Sequence, residues 1–171
     1  MQKSIPGIKW ITLLSTLLFL SGCGYHLRQA TQLPSYISPV IINGIGPYSD
    51  LHTEISLRLK SDTVEVTRER SEAKTMLKIS SYKQQNRTSS VDASGKVAQT
   101  ELRHNLEFSL IDASGKTLVP AQTIVVTRDY INTEEQKLGK VTEADQLKEG
   151  IRQELARQIV VRLQAQLKNR Q

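Results

Sequence analysis

Asp92-Ala93-Ser94-Gly95-Lys96 recurs letter for letter as Asp112-Ala113-Ser114-Gly115-Lys116, and this repeated pentapeptide decides the fold. Aspartate in the first place and glycine in the fourth are typical of a type I turn that ends on a left-handed residue. The two copies therefore predict two hairpin turns. They divide the middle of the chain into three β-rich segments, at about residues 74–91, 97–111 and 117–131.

The segment between the two turns alternates between apolar and polar side chains. The positions that share its apolar face are Leu102, His104, Leu106, Phe108 and Leu110. Because successive side chains of a strand point to opposite faces, the pattern predicts an antiparallel meander with one buried face. Residues 84–90 read Gln-Gln-Asn-Arg-Thr-Ser-Ser and contain no apolar side chain. The first hairpin is therefore predicted to project beyond the core.

A strand, a helix and a second strand are predicted upstream of the meander. Residues 40–45 form a short apolar run of the β type, and residues 64–67 alternate between valine and polar residues. Between them, apolar residues recur at every fourth position after Ser49, which is a candidate helix N-cap. A strand-helix-strand unit of this kind favours a parallel crossover.

The last part of the chain has the pattern of a long amphipathic helix. Its apolar stripe consists of Ala144, Leu147, Ile151, Leu155, Ile159, Leu163 and Leu167. Thr142 with Asp145 resembles a capping box, which predicts a helix start at Thr142. The stripe could lie on a membrane surface, but packing on the sheet is favoured because the sheet needs a cover.

The predicted fold class is α+β. We expect a mixed sheet of four or five strands, with a short βαβ start followed by the antiparallel meander, and two α-helices packed on one face. The strand order stays open, because the two short strands could flank the meander in more than one way.

The beginning of the chain has the features of a lipoprotein export signal. Lys3 and Lys9 precede or border an apolar run at residues 10–20, which is too short for a stable membrane-spanning helix. Leu20-Ser21-Gly22-Cys23 then resembles a lipobox and contains the only cysteine. We expect cleavage before Cys23 and lipidation of this residue by an S-diacylglycerol and an N-acyl group, with no other cofactor. A buried thiol beside a membrane helix is the less favoured alternative.

The residue after the cysteine bears on sorting. Aspartate at this position generally retains lipoproteins at the inner membrane, whereas this chain has Gly24. We therefore predict an anchor in the outer membrane of a Gram-negative cell, facing the periplasm. The expected division is a signal peptide at 1–22, a lipidated N-terminus and tether at 23–38, a single domain at 39–168 and a polar tail at 169–171.

Charge and motif content exclude several classes of function. The formal net charge is +6, and Lys3 and Lys9 leave with the signal peptide. The remaining excess of +4 is spread along the chain without dense basic blocks, so a nucleic-acid partner is not expected. Zinc-binding, nucleophile-elbow and phosphate-loop motifs are all missing from the sequence. We expect no catalytic residues and no metal, and His104 is expected to be a satisfied core or edge histidine.

The start of the predicted mature chain resembles a known family. Cys23-Gly24-Tyr25-His26-Leu27-Arg28, followed by Gln32-Leu33-Pro34, is similar to the opening of the lipopolysaccharide (LPS)-assembly lipoproteins called LptE. The resemblance implies a plug-like domain inside the outer-membrane β-barrel protein LptD. It also implies roles in assembly of that barrel, in binding LPS and in its insertion into the outer leaflet.

The resemblance further implies cationic LPS-binding residues near a hairpin and in the loop before the last helix. Lys140 falls at the position of the loop lysine, whereas the hairpin arginine falls at Ala93 or a neighbour, so Lys96 is its nearest cationic substitute. LPS is rich in phosphate and carboxylate, which basic side chains bind through charge-assisted hydrogen bonds. The full candidate set is Lys83, Arg87, Lys96, Lys137 and Lys140.

Other interpretations of these residues and of the chain stay open at this point. Each lysine could be an ordinary solvated side chain, or the polar loops could contact the polar interior wall of a barrel. The alternative function is a generic periplasm-facing envelope lipoprotein that tethers or binds peptidoglycan or a soluble partner.

Overall fold

The computed structural model describes residues 32–91, 93, 95–131 and 137–168, without the side chains of residues 137–143. After a 3-10 turn at Ser35–Ile37, the strands are β1 (Val40–Asn43), β2 (Val66–Thr67), β3 (Thr75–Val91), β4 (Val97–Asp112) and β5 (Thr117–Ile131). The helices are α1 (Asp50–Ser61), between β1 and β2, and α2 (Lys137–Lys168), after β5. Cys23 and Gly24 lie outside the described residues.

The strands form one mixed sheet in the order β2-β1-β3-β4-β5. The short strand β1 is parallel to both β2 and β3, whereas β3, β4 and β5 pair antiparallel. The predicted α+β class, with a βαβ start and an antiparallel meander, is confirmed. The order also answers the open question about the short strands, because both lie on the β3 side of the meander.

The turn chemistry of the repeated pentapeptide is visible at its second copy. Asp112 Oδ1 accepts hydrogen bonds from the backbone N–H groups of Ser114 and Lys116, each at 2.9 Å, and from the Ser114 hydroxyl at 2.6 Å. Gly95 and Gly115 occupy equivalent places in the two turns and have φ angles of +79° and +88°. A side chain at either place would be strained in this left-handed conformation.

The side chains of β4 are buried in the alternating pattern that the sequence predicts. The even-numbered residues from Leu102 to Leu110 are all buried, and the intervening residues are partly exposed. Both helices contribute to the same hydrophobic cluster as these residues, so α1 and α2 cover the same face of the sheet. The α2 stripe includes the fully buried Ile151, Leu155 and Ile159, which confirms that it packs on the sheet. We call the opposite face of the sheet the outer face.

The meander extends beyond this core on the side of the first hairpin. The short strand β1 pairs only with Thr75–Lys78 of β3, and every β3 residue from 83 to 91 is exposed. The C-terminal part of β5 lies alongside, because Ile131 pairs with Gln99. We call this region, residues 83–91, 97–103 and 127–131, the hairpin end.

Helix α2 begins earlier than its capping pattern predicted. It begins at Lys137 rather than at Thr142, so Lys137 and Lys140 lie in the first four residues of the helix and not in the preceding loop. Extending an existing helix adds one backbone hydrogen bond per residue, which makes an extra turn inexpensive. The single glycine in that turn, Gly139, costs only about 1 kcal/mol relative to alanine.

The folded part of the chain also begins before residue 39. Leu33 and Ile37 are 4% and 0% exposed and belong to the hydrophobic core. The backbone N–H of Leu33 donates to the Asp62 carboxylate at 2.9 Å, and the Gln164 amide donates to the same oxygen at 3.0 Å. This segment, expected to be a tether, is therefore fastened from Leu33 onwards to Asp62 at the end of α1, and through Asp62 to α2.

Candidate functional site

Three basic side chains lie close together on the outer face, within the hairpin end and where it joins the core. In the β3–β4 register, Arg87 is opposite Glu101, Gln85 is opposite Arg103, and Lys83 is opposite Asn105. Arg103 is therefore a diagonal neighbour of both Lys83 and Arg87, at a spacing of roughly 7–8 Å along the sheet. We call Lys83, Arg87 and Arg103 the cationic triad.

The triad is available to a ligand. Lys83 and Arg87 are exposed and Arg103 is partly buried. Within the described residues, their side chains form no hydrogen bond or ion pair with another residue. Two acids share this surface, because in the strand register Glu101 lies opposite Arg87 of β3 on one side and opposite Asp129 of β5 on the other. The three cations are thus accessible to an anionic group, which they could bind through charge-assisted hydrogen bonds.

Arg103 was not among the residues expected from the sequence, whereas Lys83 and Arg87 were. It belongs to the polar face of β4, which looks like an ordinary solvated face when that strand is considered alone. The signal that could have found it is the hairpin register. Counting outward from the middle of the Asp92–Lys96 turn places Arg87 opposite Glu101 and Gln85 opposite Arg103, as observed.

The other expected ligand-binding residues lie at the same end of the sheet. Lys96 directly follows Gly95 in the turn and is exposed. Arg162 of α2 donates to the Thr123 carbonyl, whereas Arg152, ten residues earlier, lies near His104, so the helix approaches the hairpin end towards its N-terminus. Lys137 and Lys140 therefore start the helix near the hairpin end, but their side chains lie outside the described residues.

A second polar cluster lies where the hairpin end joins the core. Tyr82 OH lies 2.9 Å from His104 Nδ1, and the two rings meet edge to face with centroids 5.7 Å apart. Arg152 of α2 forms an ion pair with Asp50 at the start of α1, at 3.5 Å. Together these side chains connect β3, β4, α1 and α2, and the expectation that His104 is a satisfied core histidine is confirmed.

Two buried histidines, His104 of this cluster and His52 of α1, make the stability of the domain depend on pH. Burial, and secondarily the positive charges of Arg152 and Lys148, hold the pKa of His104 below its usual range. Burial, followed by the charge of Arg68, lowers the pKa of His52. The unfolded chain therefore binds more protons than the folded chain once the pH falls through about 6.5, and the folded state loses stability there.

We expect the urea midpoint of unfolding to be lower at pH 5.5 than at pH 7.5. His104→Gln removes one of the two titrating groups, so the drop between these pH values should be smaller in that variant, whatever its stability at pH 7.5. The side chains facing His104 are Tyr82 from β3, Arg152 and Lys148 from α2, and Asp50 near Arg152. A drop of unchanged size in His104→Gln would contradict this assignment.

Two further observations concern the described part of the chain. Over the ranges whose side chains are described, no group of three or more His, Cys, Asp or Glu residues could hold a metal ion. Neither α1 nor α2, the two described α-helices, is long and apolar enough to cross a membrane.

Comparison with known proteins identifies relatives in one family. A family model described as "LptE: Lipopolysaccharide-assembly" matches residues 37–163. The LPS-assembly lipoprotein LptE of Yersinia pestis (strain Pestoides F) is 30% identical over 160 residues, covering 90% of this chain and 76% of that protein. The LptE protein of Photorhabdus laumondii is 28% identical over 146 residues, covering 85% and 79%.

Solved structures show a similar fold. The solution structure of lipoprotein B from Nitrosomonas europaea has a TM-score of 0.65 and 23% identity, covering 80% of this chain and 88% of that one. The crystal structure of the rare lipoprotein B from Shewanella oneidensis has a TM-score of 0.65 and 21% identity, covering 76% and 96%. At these identities the likeness concerns the fold.

Proposed function

Because this chain belongs to the LptE family of LPS-assembly lipoproteins, we propose that it works with the barrel protein LptD to place LPS in the outer leaflet of the outer membrane. In this proposal it is a plug within the barrel, an assembly factor for the barrel and an LPS-binding component, with no catalytic role. Cys23 carries the lipid anchor, Gly24 directs sorting to the outer membrane, and the domain faces the periplasmic side from within the barrel.

One observation carries the ligand-binding part of the proposal. The hairpin end projects from the core, and the cationic triad lies on its outer face and border without internal partners among the described residues. Guanidinium groups form paired, charge-assisted hydrogen bonds with phosphate, and a lysine adds a point charge. Lys96 in the turn and Lys137 and Lys140 at the start of α2 complete the candidate set at the same end.

The character of the outer face supports the role of plug. Its side chains along β4 are mostly polar: Glu101, Arg103, Asn105, Glu107 and Ser109. A sheet in free solution tolerates such a face, and the water-filled interior of a membrane barrel is also polar. The outer face and the hairpin end therefore suit contact with a barrel wall, which was one of the alternatives open from the sequence.

Detergent co-purification tests the partnership. The full chain, tagged at its C-terminus and extracted from native outer membranes, should retain an outer-membrane barrel protein in about equimolar amount. The control is a tagged, unrelated outer-membrane lipoprotein prepared in the same way, which should not retain that barrel. Recovery of a barrel-free monomer from native membranes would contradict the proposal, and binding to isolated cell-wall sacculi would favour the peptidoglycan alternative.

A further inference from the structure

Strand β5 is a long edge strand with an aggregation-prone segment. Among the described strands it pairs only with β4, and it extends over 15 residues, whereas the strand at the opposite edge, β2, has two residues. Within β5, Thr123-Ile124-Val125-Val126-Thr127 is uncharged, lacks proline and consists entirely of β-branched residues. A segment of this composition on an open edge readily pairs with another strand.

Two arginines cover backbone carbonyls at the two ends of this segment. Arg162 Nη1 of α2 donates to the Thr123 carbonyl oxygen at 2.8 Å, and Arg128 Nη1 donates to the Thr127 carbonyl oxygen at 2.9 Å. Residues an even number of positions apart in a strand turn their backbone groups to the same side. The Asp112 N–H donates to Lys116 O, so the even-numbered β4 residues turn their backbone groups to β5, and so do their partners Ile124 and Val126. Thr123 and Thr127 belong to the other set, whose carbonyls point away from β4, along the open edge.

We propose that Arg162 and Arg128 are edge guards, which prevent β5 of one molecule from pairing with β5 of a second copy of this chain. The inference is independent of the proposed function. A free carbonyl on the open edge accepts a backbone N–H from an incoming strand, whereas a carbonyl that already binds a guanidinium is blocked by a bulky charged group.

The symmetry of the segment explains why two guards are needed. In an antiparallel pair with its two-fold axis at Val125, that residue meets its own copy, and Thr123 of one molecule lies opposite Thr127 of the other. The carbonyl bound by Arg162 in one molecule then lies opposite the carbonyl bound by Arg128 in the other. Arg162 of one molecule would approach Arg128 of the second, and such like-charge contacts disfavour association.

The same geometry provides the readout. Val125 is 42% exposed, and two residues at the centre of such a pair have Cα atoms about 5.5 Å apart, within the range of a disulfide. Cys23 is the only cysteine of the sequence. A Val125→Cys substitution in the full chain therefore adds one reporter thiol, and the chain without it measures any background from Cys23.

The test compares disulfide dimers of Val125→Cys chains under mild oxidation in detergent. We expect Arg162→Ala with Arg128→Ala to raise the dimer fraction by about tenfold or more, because each hydrogen bond removed changes an equilibrium roughly fivefold. Lys60→Ala with Lys78→Ala removes the same charge from exposed positions on α1 and β3, away from β5, and should leave the fraction unchanged. A reporter at Ser109, on the outer face of β4 but away from the edge, should not cross-link.

Either of two results would overturn the proposal. Equal dimer fractions with and without the guards would show that the two arginines do not prevent pairing of β5 with a second copy. The lack of dimers in a double variant with native circular dichroism would show that the edge does not pair with itself. If the double variant does not fold, Arg162→Gln alone takes its place, with the same reporter and the same two outcomes.

Discussion

Replacing Gly44 by alanine should destabilise the domain by at least about 3 kcal/mol, since it combines backbone strain with a direct clash. Gly44 has a φ of +97°, a conformation that side chains other than glycine rarely adopt. A Cβ atom at this position would also lie only 1.9 Å from the carbonyl oxygen of Ile79. The obstacle is backbone, so no side-chain rotation can relieve it. Urea unfolding, followed by circular dichroism, measures the loss.

The matched control is Gly46→Ala, two residues further along the same connection. The nearest atom to a methyl group added at this position would be Ser49 Cβ at 4.0 Å, and the φ of Gly46 is not in the left-handed region. This variant should stay within about 1 kcal/mol of the wild type. Unfolding of Gly44→Ala and Gly46→Ala at the same urea concentration would contradict the close approach of Gly44 to the Ile79 backbone.

The position of Gly44 also matters for the candidate site. The chain leaves β1 after Asn43 and passes against β3 at Ile79, where the β3–β4 register shifts. Beyond this crossing, no described strand pairs with β3 on its β1 side, and β3 continues towards the hairpin end. The glycine thus allows the close crossing at the place where the sheet passes from core to projection.

Local patterns predicted the meander well for a physical reason. Turn formation depends on a few adjacent residues, and the Asp-to-Gly spacing of the repeated pentapeptide is sufficient to specify it. The alternation of apolar and polar residues in β4 is likewise a local pattern, because it arises wherever one face of a strand is buried and the other is not. The projection of the first hairpin follows from the same reasoning, because residues 84–90 offer nothing to bury.

Features that depend on distant pairing were not predictable in this way. The order β2-β1-β3 depends on contacts between segments about 35 residues apart, such as Val40 with Thr75. The start of α2 was misplaced because Thr142 and Asp145 resemble a capping box although the helix continues past them. Arg103 was missed because its neighbours Lys83 and Arg87 lie on another strand.

The prediction with the largest expected effect on function concerns the cationic triad. Arg87→Glu with Arg103→Glu should weaken binding of LPS by at least about tenfold, because each charge-assisted hydrogen bond contributes about 1.5–3 kcal/mol. The matched control is Lys60→Glu with Lys78→Glu, which makes the same change of net charge at exposed positions outside the hairpin end. Native circular dichroism of both double variants is required before binding is compared.

A milder pair separates lost binding from new repulsion within the sheet. Glutamates at positions 87 and 103 would lie beside Glu101, and like charges on neighbouring strands are destabilising. Arg87→Gln with Arg103→Gln introduces no such repulsion and should weaken binding in the same direction by a smaller factor.

The most direct test of the proposed function is therefore a titration of the purified full chain with rough-type LPS at fixed ionic strength. We predict equally tight binding for the wild type and the Lys60→Glu, Lys78→Glu control, and a loss of at least about tenfold for Arg87→Glu with Arg103→Glu. Binding by the triad variant equal to that of the control would contradict the assignment of the hairpin end as the LPS contact.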